Sequence, residues 1–459
     1  GGGVELDLAH MAAVGPGGPA DTAGAVHRDR GLGLLGGQLE QADAQVGAGH
    51  AEAAFAVLDV AGRRFEVGAR GFADAVAEAH AAHQRPRCMC LVEGVEMYVA
   101  RLGEGYIVKR MPDTGSHHAP DCPSYEPPAE FSGLGQVMGS AITEDPATGE
   151  TTLKLDFPLT KMPGRSHMPP AGGDSDSVVS DGTRLSLRGL LHYLWDQAEL
   201  TRWQPGFAGK RSWATVRKHL LQAAQHKITR GTDIQTRLYI PEPFCVEKRA
   251  VINARRLARW AHAKSLPGKP QQLMLLIAEV KEIVPARYGY KAVVKHVPDQ
   301  AFAIDERMYR RLGRRFEGEL ALWGASDALH MLAIATISVS EAGVPTITEL
   351  SLMPVTAQWL PIESAFELQL IETLVHEGRA FTRGLRYGLS LAQTLASAIL
   401  TDTSASPCPL YVLPQPGATD DAPLMLHASP QTWVWRTYCG GMPPLPTKQC
   451  RIEPPITTP

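Results

Sequence analysis

Cys88-Met-Cys90 and, further along, His118-Ala-Pro-Asp-Cys122 carry the strongest chemical signal in this 459-residue chain. The two pairs supply three thiols and one imidazole, which can act as the four ligands of a tetrahedral zinc site. Such a closed site stabilises structure and leaves no coordination position open for catalysis. The pattern therefore predicts a structural zinc ion and a small β-rich module around it.

The segment between the two pairs predicts a β-hairpin. Strand-like residues 97–101 and 106–109 flank Gly103-Glu-Gly105, which has the composition of a tight turn. A hairpin would bring the two pairs together. His117 directly precedes His118, so the spacing alone leaves open which imidazole binds, and we expect His118. The alternative for the whole set is four unrelated residues of a cytosolic protein.

The composition is that of a globular protein, with 44% apolar and 20% charged residues. No apolar run approaches the roughly 18 residues that a membrane span requires. The first residues lack the basic start and apolar stretch of a secretory signal. Seven cysteines are too few for a disulfide framework in a chain of this length. These features predict a cytoplasmic protein that contacts no membrane.

The net charge of −3 conceals a strong segregation of charge. Residues 1–180 contain 13 basic and 24 acidic residues, residues 181–315 contain 26 and 11, and residues 316–459 contain 6 and 13. A basic middle third in an otherwise acidic chain favours a local surface that faces a polyanion. We expect that partner to be a nucleic acid, most simply DNA.

Three basic stretches are the candidate nucleic-acid contacts. Thr201–Arg230 and Lys248–Lys269 each contain seven basic residues and no acidic one. In residues 305–316 the arginines recur at helical spacing on one face, opposite Met308, Leu312 and Phe316. The alternatives are a solvated face and salt bridges to the acidic C-terminal part. The predicted contacts are Arg211, Arg217, Lys218, Lys227, Arg307, Arg310, Arg311 and Arg314, with Arg315 on the same helical face.

The order of the sequence patterns predicts an α+β multidomain protein. Residues 1–57 are Gly- and Ala-rich and lack lysine, which indicates a disordered tail. Ser212 is a candidate helix cap, and two helices followed by a strand resemble a winged helix. The predicted order is a tail at 1–57, a zinc-containing module at 58–161, a linker at 162–182, a winged-helix-like basic domain at 183–245, an α/β domain at 246–440 and a Pro-rich tail at 441–459.

Individual elements follow from hydrophobic periodicity and turn residues. The sequence predicts helices over 72–82, 185–200, 213–225, 305–316 and 362–377. It predicts strands within 57–65 and over 97–101, 106–109, 235–240, 274–281, 290–294, 330–338 and 344–350.

Glu279-Val-Lys281 ends an apolar stretch and has the Glu-x-Lys form found in metal-dependent nucleases. Two-residue patterns of this kind are common by chance, and no partner aspartate is evident at the end of an upstream strand. An ordinary strand edge is the simpler interpretation.

A family resemblance rests on several longer stretches. The sequence around the ligands runs from Arg85-Pro-Arg-Cys-Met-Cys90 to His118-Ala-Pro-Asp-Cys-Pro-Ser-Tyr-Glu-Pro-Pro128. It resembles the bacterial domain-of-unknown-function family 1173. The likeness continues through Leu190-Leu-His-Tyr-Leu-Trp195, Leu238-Tyr-Ile-Pro-Glu-Pro243, Glu279-Val-Lys-Glu282 and Leu385-Arg-Tyr387. The resemblance implies an accessory protein of plasmids and integrative mobile elements and specifies no reaction.

The C-terminal region is also similar to the PD-(D/E)xK nuclease superfamily. Glu367 matches the helical glutamate of that superfamily, but Ser397 stands where an acid is wanted. The next strand, Pro409–Leu413, lacks the Glu and Lys. The resemblance therefore implies a degenerate restriction-endonuclease fold without its metal site.

Together these observations predict a zinc-containing accessory protein that binds nucleic acid and is not an enzyme. Two alternatives remain at this point: a metal-dependent nuclease, and an interaction protein whose basic region meets an acidic protein surface.

Overall fold

The computed structural model describes most of the chain from Val57 onward. The predicted N-terminal tail lies outside the described residues except for Val57, as do most of the predicted linker and the end of the Pro-rich tail with Cys450. The described ranges are 57–102, 105–111, 114–145, 148–161, 182–264, 270–389, 394–403, 407–414 and 432–449.

The first sheet has five strands and one helix packed against it. Its elements are β1 (Val57–Val60), β2 (Arg63–Glu66), α1 (Phe72–Ala81), β3 (Arg87–Cys88), β4 (Val95–Leu102) and β5 (Gly105–Arg110). The strands are antiparallel in the order β2-β1-β3-β4-β5. Alternate residues of β1, Leu58 and Val60, are buried against Val76 and Ala79 of α1 in one small core.

A second sheet combines strands that are distant in sequence. The elements that follow β5 are α2 (Leu134–Val137), β6 (Ile142–Glu144), β7 (Thr151–Leu153), β8 (Thr160–Lys161), α3 (Leu187–Gln197), β9 (Arg202–Trp203), α4 (Trp213–Ala223), β10 (Lys227–Thr229), β11 (Thr232–Asp233) and β12 (Leu238–Tyr239). The sheet order is β11-β10-β7-β6, with β10 parallel to β7. The β10–β11 hairpin, which follows α4, is thus part of a sheet with strands from residues 142–153.

Two helices of this region begin at side-chain caps. The Ser186 hydroxyl accepts a hydrogen bond from the Gly189 N–H at the start of α3, and the Ser212 hydroxyl accepts one from the Thr215 N–H at the start of α4. The predicted cap at Ser212 is therefore confirmed. Almost all of α3 is buried in the largest core of the described chain.

The next strands close into a barrel. The elements are α5 (Arg249–Trp260), β13 (Gln271–Gln272), β14 (Met274–Pro285), β15 (Tyr290–Val294), β16 (Phe302–Ile304), α6 (Glu306–Arg315), α7 (Glu317–Gly324), β17 (His330–Val339) and β18 (Pro345–Val355). The pairings run β14-β15-β16-β18-β17 and back to β14. Only β16 and β18 pair in parallel within this ring. A register shift between Val280 and Glu282 lets the first half of β14 pair with β17 and the second half with β15.

The C-terminal sheet follows one long helix. Its elements are α8 (Ala365–His376), β19 (Phe381–Arg383), β20 (Ala398–Leu400), β21 (Cys408–Leu413) and β22 (Trp433–Arg436). The order is β22-β21-β20-β19-β9, so the short strand β9 of the middle region supplies one edge. A separate apolar core, which includes Leu370 and Leu410, lies between α8 and this sheet.

The predicted fold class is confirmed at the level of mixed α/β structure, with several sheets and, among the described residues, eight α-helices. The winged-helix and nuclease-type descriptions stay predictions. The strand predicted over 235–240 was wrong at its start, because residues 234–237 form a 3-10 turn. The Asp233 carboxylate accepts the Gln235 N–H there and begins the turn.

No helix of the described ranges has both the length and the apolar character that crossing a bilayer requires.

Candidate metal centre

The four predicted ligands converge at one end of the first sheet. Cys88 is the last residue of β3, which pairs with both β1 and β4, and Cys90 follows two residues later. The β4–β5 hairpin then returns the chain to a short 3-10 turn at Gly115–His117, after which come His118 and Cys122. The predicted hairpin is confirmed, although Gly103 and Glu104 of its turn lie outside the described residues.

The distances between the ligand atoms fit a single metal ion. The Sγ atoms of Cys88 and Cys122 are 3.6 Å apart, and His118 Nδ1 lies 3.4 Å from Cys90 Sγ and 3.8 Å from Cys122 Sγ. All four ligand atoms lie within 4.8 Å of one another. Tetrahedral coordination at usual zinc bond lengths places ligand atoms about 3.6–3.8 Å apart. The separations of the ligand atoms in the cluster therefore match those of a tetrahedral metal site.

The structure also distinguishes between the two adjacent histidines. His118 is buried and directs Nδ1 at the thiols, whereas His117 is exposed. Burial lowers the pKa of His118, which favours the neutral imidazole that a metal requires. The cluster thus contains His118.

Backbone groups support the sulfur atoms. The Ala119 N–H donates to Cys90 Sγ at 3.5 Å, and the Ser124 N–H donates to Cys122 Sγ at 3.3 Å. The hydrogen bond with Cys88, followed by the bond from Ser124, lowers the pKa of Cys122 to about 5 despite burial. Donors of this kind stabilise thiolate charge. Three sulfurs and one nitrogen fill a tetrahedron, so the centre can hold a metal ion as a structural element.

The ligand loop is connected to the rest of the chain by Arg202. Its guanidinium donates to the carbonyl oxygens of Cys122 at 3.0 Å and Pro123 at 2.6 Å. Arg202 lies on β9, the edge strand of the C-terminal sheet. The metal centre is thus attached to two sheets at once.

The family model described as "Protein of unknown function (DUF1173)" matches residues 58–438. The chain belongs to the DUF1173 family. No curated protein and no solved structure matches the chain. The part that matches DUF1173 contains all four ligands and the whole barrel.

Several of the predicted nucleic-acid contacts in the DUF1173 chain point inward. Arg211 is the clearest case, because its guanidinium donates to the carbonyl oxygens of Leu200, Arg202 and Gln358 and lies over the ring of Trp203. Burial lowers the pKa of Arg211 to about 10. Its hydrogen-bonding capacity is directed at the protein itself.

Lys227 and Arg217 show the same behaviour. Lys227 is only 6% exposed, donates to Thr151 Oγ1 at 3.0 Å and has its pKa lowered to about 8 by burial. The ammonium group of Lys227 is therefore directed at the protein, as the guanidinium of Arg211 is. Arg217 is half-buried and donates through Nε to the Ile240 carbonyl at 3.0 Å.

Lys218 and the arginines of α6 are placed differently. Lys218, Arg307, Arg310 and Arg314 are exposed, and Arg311 and Arg315 are half-buried. The opposite side of α6 is buried through Met308 and Leu312, as the helical spacing predicts. Asp305 caps the helix by accepting the Met308 N–H at 2.7 Å, and Arg310 forms an exposed pair with Glu306.

The tryptophans of the basic stretches are core residues. Trp203, Trp213 and Trp260 are all buried, at 2%, 5% and 1% exposure. All three rings therefore pack in the core.

The two glutamates of the nuclease hypothesis, Glu279 and Glu367, accept hydrogen bonds from basic side chains. Glu279 is 3% exposed and accepts from Lys295 Nζ at 2.5 Å and His330 Nδ1 at 2.6 Å. Glu367 accepts from Arg383 at 2.7 Å. Among the described residues, the Cys/His cluster is the group of ligating side chains close enough to share a metal ion.

A polar cleft near the metal centre was not predicted. It has a volume of about 60 Å³, and its walls include Glu126 from the ligand loop and Asp196 at the end of α3. Burial raises the pKa of Asp196 to about 6, and its carboxylate accepts from Tyr387 Oη at 3.2 Å. Glu126, Asp196 and Tyr387 lie in or next to the stretches that carry the family resemblance. The position of those stretches was the signal in the sequence that could have indicated the cleft.

Proposed function

We propose that the chain is a zinc-containing accessory protein that binds nucleic acid through the exposed arginine face of α6. Zinc is the metal that best suits three thiolates and one imidazole at tetrahedral spacing. Its role is structural, because the four protein ligands complete the coordination shell. The resemblance to proteins of plasmids and integrative mobile elements fits such an accessory role.

The exposed face of α6 is the observation that carries the nucleic-acid proposal. Arg307, Arg310 and Arg314 follow one another at helical spacing on the side opposite the buried Met308 and Leu312. Arginine binds phosphate oxygens through paired N–H donors. A row of arginines on one helix face matches the repeated charges of a nucleic-acid backbone.

Lys218 on α4 is a secondary contact in this proposal. It is exposed, whereas Arg217 beside it already donates to a backbone carbonyl. If α4 is the recognition helix of a winged-helix-like domain, Lys218 is the basic residue that it offers. The surface of α6 does not depend on that domain assignment.

The test is a charge reversal on α6 with a control of equal charge. Arg307→Glu, Arg310→Glu and Arg314→Glu are combined in one full-length variant. The control variant combines Arg70→Glu, Arg101→Glu and Lys154→Glu, which change three other exposed basic residues. Binding of a labelled DNA oligonucleotide is measured by fluorescence anisotropy over a range of salt concentrations.

We expect the α6 variant to lose affinity for every sequence and to lower the salt slope by up to about 2.7, because each phosphate contact contributes about 0.9. The control variant should change the slope little. Equal losses in both variants would show that only the net charge matters. Absence of binding by the unmodified chain would overturn the proposal and favour an interaction with an acidic protein surface.

A further inference from the structure

The barrel has the strand connectivity of an OB-fold. Numbered along the chain, the five strands of the closed ring follow the order 1-2-3-5-4-1, where β14 is the first strand and β18 the fifth. The short strand β12 pairs in parallel with the start of β14 and is not part of the ring. Strands 3 and 5 are parallel, helices lie between strands 3 and 4, and the first strand bends at a bulge so that it pairs at both ends. OB-folds bind oligonucleotides or oligosaccharides across strands 2 and 3 and through the loop between strands 1 and 2.

In this chain the loop between the first two strands presents an aromatic ring to solvent. Tyr288 is 83% exposed, and the Arg287 guanidinium lies 5.4 Å from the centre of its ring. Most tyrosines of the described chain are buried, as Tyr193 and Tyr387 are. An exposed aromatic ring flanked by arginine is suited to stacking on a nucleobase.

The loop is held in a defined position. The Ala286 N–H donates to the Gly289 carbonyl at 2.9 Å across the turn. Gly289 has a φ of +81°, and a Cβ there would lie 2.8 Å from the Ile304 carbonyl oxygen, so glycine is required. Since Ile304 ends β16 just before α6, the loop is packed beside the start of that helix.

An aromatic contact joins the loop to the arginine helix. The rings of Tyr290 at the start of β15 and Tyr309 on α6 are stacked with an interplanar angle of 9°. The segment from Lys281 to Arg315, which comprises this hairpin, β16 and α6, contains nine basic and four acidic residues. A positive charge of this size favours a polyanion over a neutral sugar.

We infer that the barrel is a binding site for single-stranded nucleic acid, with a base stacked on Tyr288 and the adjacent phosphates near Arg287 and α6. The inference rests on the proposed function and specifies its ligand. In a duplex the faces of the bases are covered by their neighbours, so Tyr288 has no stacking partner there. In a single strand every base offers a face, and stacking tolerates any sequence.

The test compares an oligothymidylate, an oligouridylate and a mixed-sequence DNA duplex of the same length, all bound to the full-length chain at one salt concentration. We expect tighter binding of a single strand than of the duplex. Tyr288→Ala should weaken single-strand binding by about 5- to 150-fold and leave duplex binding unchanged. Tyr288→Phe keeps the ring and should retain the affinity, and Tyr106→Ala, at a tyrosine 38% exposed on β5, is the control. The oligothymidylate and oligouridylate arms distinguish DNA from RNA.

The two proposals fail in different ways. Equal affinity for single strand and duplex, unaltered by Tyr288→Ala, would overturn the single-strand inference and leave nucleic-acid binding in place. Loss of affinity in both Tyr288→Ala and Tyr288→Phe would also overturn it, because the ring would not be the source. No binding of any oligonucleotide would overturn the proposed function itself.

Discussion

The Cys/His centre and the basic stretch at residues 201–230 were both singled out from the sequence, and the structure arranges their side chains in different ways. In the centre, the ligand atoms of two residue pairs that are distant in sequence lie within 4.8 Å of one another. In the basic stretch, Arg211 and Lys227 turn into the protein. Metal ligands act only at defined spacing, whereas a positive charge can serve a nucleic acid or the protein's own carbonyl groups equally well.

The difference arises from what each residue type needs. Cysteine and histidine in paired motifs at this spacing are typical of metal binding. Arginine has five N–H donors and a long apolar stem, so it satisfies carbonyl oxygens that would otherwise be buried without a partner. A count of basic residues therefore overestimates the positive charge that is available at the surface, and burial identifies the arginines that stay exposed.

The largest effect should follow from breaking the metal centre. Cys122→Ser removes one ligand, so we expect loss of the metal and faster amide hydrogen exchange over residues 57–128. The C-terminal sheet has its own core and should keep its protection. Cys439→Ser, at an exposed cysteine, is the matched control. Exchange unchanged in the first sheet after metal loss would show that the metal does not stabilise it.

The inward arginine should matter for stability and not for binding. Arg211→Met leaves carbonyl groups of Leu200 and Gln358 without their donor, which should lower the free energy of unfolding by about 2–5 kcal/mol. Lys218→Met, at an exposed lysine on α4, should change it by less than about 0.5 kcal/mol. Urea denaturation of both variants and of the unmodified chain measures the contrast. Equal stability of the two variants would contradict the structural role of Arg211.

Lys227 should make stability depend on pH. Its pKa is about 8 in the folded chain and near 10.5 when exposed, so between these values the unfolded chain holds more protons. The unmodified chain should therefore gain up to about 3 kcal/mol relative to Lys227→Met as pH rises from about 8 to about 10. Parallel stability curves of the two proteins across that range would refute burial of the charged ammonium group.

The smallest effect should come from removing residues 1–56. They are Gly- and Ala-rich, and the family match begins only at residue 58. We expect no change in melting temperature or metal content. Clear destabilisation of the shortened chain, measured by differential scanning fluorimetry, would show that these residues pack on the rest.

Local sequence patterns predicted much of the secondary structure, but they could not predict which distant segments pair with one another. The helix at 305–316 followed from its spacing and from the cap at Asp305, and the ligand set followed from paired motifs around a hairpin. The barrel did not follow, because its closure depends on β14 pairing with β17 across many intervening residues. Nor did the partners of Glu279, since Lys295 reaches it from the turn after β15 and His330 from β17.

The central claim is that the Cys/His centre holds a structural zinc ion, and metal analysis of freshly purified, reduced protein tests it most directly. Inductively coupled plasma mass spectrometry of the full chain should find one zinc per chain, and His118→Ala should lose it while His117→Ala keeps it. An unmodified chain that contains no zinc, or a His118→Ala variant that retains a full equivalent, would contradict the account.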